Sequence, residues 1–87
     1  MRSMTKRPIN QYIDVMICFA RYYLTSIHAK HEKQDIKTFL NENDTTMLVS
    51  IGASQKRETL PYDIWQIFDC LDYDEIDLIR KNTLQTL

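Results

Sequence analysis

Apolar residues recur along this chain at helical spacing. Ile9, Ile13, Met16, Ala20, Tyr23 and Ile27 follow one another at intervals of 4-3-4-3-4, close to a heptad seam on one helix face. A second flank, Tyr12, Val15, Phe19 and Tyr22, lies beside that seam. Only Asp14, Arg21, Thr25, His28 and Glu32 share a narrow polar strip. A helix that is apolar most of the way round is buried on more than one side. The pattern predicts a long, mostly buried helix near residues 9–31, with Pro8 suited to its first turn. The residues before it, 1–8, read as a flexible basic arm.

Shorter stripes follow. Ile36, Phe39 and Leu40 predict a second helix, broken by Asn41-Glu-Asn-Asp44. Asp44 is a good N-cap for a helix carrying Met47, Leu48 and Ile51, which Gly52 is expected to stop. The β-branched residues in 45–51 leave a short strand as the alternative. Residues 53–58 are polar and read as a loop. Ile64, Ile67, Phe68 and Leu71 form another stripe behind Pro61. Asp72-Tyr-Asp-Glu75 then has the form of a capping box. It predicts a break near residue 72 and a new helix carrying Ile76, Ile79 and Leu84, although one continuous helix over 61–82 also fits. Together these elements predict an all-α fold, a compact bundle of three to five helices in which residues 9–87 make one helical domain.

Composition agrees with that class. One Gly and two Pro in 87 residues are too few for the turns of a β-rich fold. A chain this short buries only about 60–65% of its unfolded surface, so a partner is a natural source of further stability. The excess apolar surface on the first helix therefore predicts a homodimer, with Tyr12, Ile13, Val15, Phe19, Ala20 and Tyr22 at the interface. No run approaches the ~18 apolar residues of a membrane span. Cys18 and Cys70 sit in apolar periodic segments and read as buried thiols of a reducing, cytoplasmic protein.

Charge adds a gradient that the net value of −1 conceals. Residues 1–33 hold six Lys or Arg against two Asp or Glu, a balance of +4, whereas 58–79 hold seven Asp or Glu and no Lys or Arg. Such asymmetry suits mutual attraction of the two ends or separate partner surfaces.

The chain offers little for catalysis. His28 and His31 lack the paired cysteines of a zinc site. A single Gly cannot build a phosphate-cradling loop. Cys18 and His28 are ten residues apart on one helix, about 15 Å along its axis, too far for proton transfer. No enzyme activity, metal or cofactor is expected. A small DNA-binding regulator of helix-turn-helix type fits the element lengths, but the 61–79 segment is acidic and phosphates repel it. The preferred reading is a non-enzymatic binding module, acting on a protein partner as an adaptor, inhibitor or regulator. The partner face is expected at Tyr62, Trp65, Asp69, Asp72 and Tyr73. Trp65 falls roughly 100° from Ile64 on a helical wheel, off the apolar stripe and bordered by carboxylates, and Trp is enriched at binding hot spots.

One stretch carries a family resemblance. Leu60-Pro-Tyr-Asp-Ile64, followed by Ile67-Phe68, Leu71, Asp74-Glu-Ile76 and Arg80, resembles the start of an F-box, although the step from Leu60 to Ile67-Phe68 is one residue shorter. The resemblance spans about a quarter of the chain. It implies a helical segment that docks on the Skp-type adaptor of cullin ubiquitin ligases through Leu60, Pro61, Ile64, Ile67, Phe68 and Leu71.

Overall fold

A computed structural model describes residues 9–27, 33–55, 66 and 69–87. Within them the chain is all-α. Four helices are delimited among the described residues, α1 (Ile9–Ser26), α2 (Lys33–Glu42), α3 (Thr45–Gln55) and α4 (Tyr73–Thr86); residues 66, 69 and 70 are helical as well, and the described residues include no strand. The radius of gyration is 12.0 Å, equal to the ~12 Å expected of a compact chain this long.

Each helix boundary has a local cause. Asp44 caps α3: its carboxylate Oδ1 accepts from the Met47 amide at 3.0 Å, and its carbonyl accepts from Leu48 N–H at 2.9 Å. This settles 45–51 as helix. Asp72 caps α4 with the reciprocal bonds of a capping box. Glu75 N–H donates to Asp72 Oδ1 and Asp72 N–H donates to Glu75 Oε1, both at 2.9 Å. Residues 69 and 70 are helical, while Leu71 and Asp72 are not. The break near residue 72 is therefore real, and a continuous helix over 61–82 is excluded. At the end of α2, Asn43 folds back and its side-chain amide donates to Phe39 O at 2.8 Å.

Two boundaries differ from the sequence pattern. The described part of α1 ends at Ser26, with Ile27 in a turn, and residues 28–32 lie outside the described residues. The arm over 1–8 lies outside them too. Helix α3 passes through Gly52 and continues to Gln55, so residues 53–55 are helix rather than loop. A glycine in a helix interior costs ~1 kcal/mol against alanine but does not break the hydrogen-bond ladder, and Gly52 is buried here.

The core gathers one face from every helix. Met16, Phe19 and Ala20 of α1 meet Ile36, Phe39 and Leu40 of α2, Leu48 of α3, and Ile76 and Ile79 of α4. The Phe39 ring stacks on Tyr23 at 4.9 Å and tilts against Phe19 at 6.2 Å. Helix α1 packs most extensively against α4 and next against α2, which makes it the spine that its apolar width implied. Thr83 completes the 3-4 spacing begun by Ile76 and Ile79. It is wholly buried, and its hydroxyl donates to Ile79 O at 2.7 Å. Leu84, expected on that stripe, is only half-buried.

A polar tie joins three helices beside this core. Arg80 Nη1 donates to Leu40 O at 2.7 Å, one of the last four carbonyls of α2, which have no partner within their own helix. Asp77 accepts from the Thr45 hydroxyl of α3 at 3.2 Å and pairs with Lys81 at 2.9 Å and Arg80 at 3.7 Å. The Lys81 hydrogen bond is the main influence holding the Asp77 carboxyl below its ordinary pKa. Desolvation opposes it, and the Thr45 hydroxyl and the charges of Lys81 and Arg80 add to the lowering.

Candidate functional site

The residues expected at a dimer interface are mostly committed to the core. Phe19 and Ala20 are 0% exposed, and Tyr12 and Ile13 are buried at 7% and 8%. Their apolar surface, read as excess, is covered by the chain's own helices. Half-buried Val15 and 39%-exposed Tyr22 remain, and half-buried Cys18 lies between them on the same strip. Cys70 is exposed rather than buried.

The residues expected at a partner face separate into three groups. Tyr62 and Trp65 lie outside the described residues. Asp72 is exposed, but its carboxylate is engaged in capping α4. Asp69 and Tyr73 come together on opposite sides of the Leu71–Asp72 break, at the rim of one cleft.

That cleft lies between α3 and α4 and has a volume of about 200 Å³. Leu48, Val49 and Gly52 of α3 form one wall, and Leu71 and Ile76 form the other. Leu48 and Ile76 belong to the core, so the floor is the outer surface of the hydrophobic interior. Tyr73 stands 55% exposed at the mouth. Asp69 is exposed, and neither its side chain nor that of Tyr73 makes a hydrogen bond or ion pair among the described residues. Gly52 contributes space, because any side chain at that position would project from the α3 wall. The signal was present in the spacing Thr45, Leu48, Val49, Gly52. It follows the i, i+3, i+4, i+7 template of a buried face, with the chain's one glycine where that face should carry bulk.

A second depression of about 320 Å³ lies between the end of α1 and α2, over Tyr23, Leu24 and Phe39, with Asp35 and Glu42 at its edge. It is shallower than the α3–α4 cleft.

No set of three or more His, Cys, Asp or Glu is placed to hold a metal ion among the described residues. No helix among them is long and apolar enough to cross a membrane. Of the residues that resemble an F-box, Leu60, Pro61, Ile64, Ile67 and Phe68 lie outside the described residues. Leu71 lines the cleft, Asp74 and Glu75 open α4, Ile76 is core, and Arg80 bonds α2. Compared with family models, curated proteins and solved structures, the chain matches none.

Proposed function

We propose that this chain is a small, non-enzymatic protein-binding module that receives a partner in the α3–α4 cleft. One observation carries the reading: an apolar notch, with a helical glycine in its α3 wall, opens at a rim formed by exposed Tyr73 and Asp69. An apolar pocket with a few polar groups at its edge is the common form of a recognition site, and exposed tyrosines supply rigid contact area to interfaces. Such a module acts by occupancy, as an adaptor, inhibitor or regulator. Self-association through α1 rests on the strip Val15, Cys18 and Tyr22, and a monomer by light scattering at tens of micromolar would remove it.

The DNA-binding reading has less support. Helices α2 and α3 are joined by the short turn Asn43–Asp44, a connection suited to a helix-turn-helix. Yet α3 contains no Lys or Arg, and phosphate contacts depend on such cations.

The test pairs affinity capture by the full chain with capture by a Val49→Glu variant, which places a charge in the cleft wall. Proteins held by the first and lost by the second support the reading, provided that the variant unfolds cooperatively. An identical set from both proteins removes it. Affinity for random duplex DNA that falls steeply with salt would favour the regulator instead.

A further inference from the structure

Building on the reading of the α3–α4 cleft as a docking site, we infer that its occupant is a protein segment presenting one aliphatic side chain beside a Lys or Arg. Size and charge each narrow the choice.

Size comes first. Sites for drug-sized molecules and cofactors occupy roughly 300–1,000 Å³. A cleft of about 200 Å³ is smaller, and nearer the ~150 Å³ engineered cavity that holds one benzene. It takes one side chain of aliphatic size. The lining from Leu48, Val49, Leu71 and Ile76 offers a deeply inserted polar group no hydrogen-bonding side chain, and a buried polar group without a partner is penalised by ~1–3 kcal/mol.

Charge selects what stands next to that side chain. The chain has seven carboxylates and no cation from residue 58 to 79. Asp69 at the rim is exposed, as are Asp72 and Asp74 on either side of Tyr73. The nearest cations along α4, Arg80 and Lys81, are paired with Asp77. Asp72 and Asp74 also serve the α4 N-terminus, where acids are favoured against the helix dipole. Asp69 has no such duty, so it separates a partner-facing charge from a fold-stabilising one. A Lys or Arg beside the inserted residue would meet Asp69 and lie against the Tyr73 ring, whose face attracts cations.

The probe is a random peptide display library selected on the immobilised full chain, with the recovered sequences synthesised as free peptides. The expected winners carry Leu, Ile, Val or Met with Lys or Arg within one helical turn. Their affinity is expected to fall about threefold to fivefold in Asp69→Asn, as for an exposed ion pair, and to fall with added salt. It is expected to drop more than tenfold in Gly52→Leu, which fills the notch. Tyr73→Ala changes only an exposed side chain and serves as the cleft variant if Gly52→Leu does not fold. Winners that need the cleft but carry neutral or acidic flanks, and ignore both salt and Asp69→Asn, overturn the inference and leave the docking site standing. No winners, or winners indifferent to Gly52→Leu and Tyr73→Ala, overturn both.

Discussion

Replacing Gly52 by alanine tests whether the α3 wall of the cleft faces open space or a close contact of the chain with itself. Gly52 lies inside α3, four residues after Leu48 and three before the helix ends at Gln55. In a helix interior alanine is favoured over glycine by ~1 kcal/mol, chiefly because glycine has more backbone entropy to lose. The new methyl would enter the cleft beside Leu71 and Ile76. Partial burial there adds a further few tenths of a kcal/mol, on the scale of ~0.8 kcal/mol for a fully buried methylene. Gly52→Ala should therefore stabilise the protein by ~1 kcal/mol, raising the melting temperature by about 4–8 °C for a domain of this size. Urea unfolding followed by circular dichroism gives the value directly, and an unchanged m-value shows that the unfolding transition itself is the same. If Gly52 instead marks a contact too close for a Cβ, the methyl overpacks it and the loss is ~1–3 kcal/mol. A destabilisation of 1 kcal/mol or more would refute the open cleft, and the docking site with it.

Three further outcomes follow from the polar contacts. Arg80→Ala strips Leu40 O of a charged donor at 2.7 Å and should cost ~2 kcal/mol in urea denaturation. Arg80→Met should recover only the part due to packing of the stem. Asp72→Ala removes the capping box of α4 and should cost ~1 kcal/mol, with Asp72→Asn close to wild type because asparagine also caps well. Asp77 has its folded-state pKa lowered, first by the Lys81 hydrogen bond and then by Thr45. Its stabilisation is therefore present above the ordinary carboxyl value of ~3.9 and is lost as pH falls through the lower folded value. Stability curves of wild type and Asp77→Asn should approach one another on acidification below about pH 4, and curves that stay parallel would show that the pairing contributes nothing.

The sequence displayed the elements better than their faces. Seam spacing located α1, and Asp44 and Asp72 announced the starts of α3 and α4, because capping is local chemistry written in adjacent residues. The apolar width of α1 was visible, but its cause was not. Phe19 and Ala20 could equally serve a second copy or the chain's own α2 and α4, and only tertiary packing decides between them. Gly52 misled for a related reason. Glycine ends helices when the backbone turns left-handed, and nothing local distinguishes that use from a notch in a buried face. Nothing in the residues around Arg80 marks its role. Its partner, Leu40, is forty residues earlier, beyond any spacing rule. Of the residues expected at a partner face, Asp69 and Tyr73 line the α3–α4 cleft, whereas the α3 residues across from them, Leu48, Val49 and Gly52, were not singled out by the pattern.

The bond from Arg80 to Leu40 has a bearing on how the protein is made. A ribosome delivers α1, α2 and α3 before α4, and domains tend to fold once their full length has emerged. Until α4 arrives, the end of α2 lacks its arginine donor, and the spine lacks the helix against which it packs most. Met16, Phe19 and Ala20 are then short of cover, and the nascent chain presents a sticky surface until residues 73–86 have emerged from the ribosome. Slowing synthesis before α4 should lengthen that window and draw in chaperones, whereas the finished chain can hide the same surface by itself.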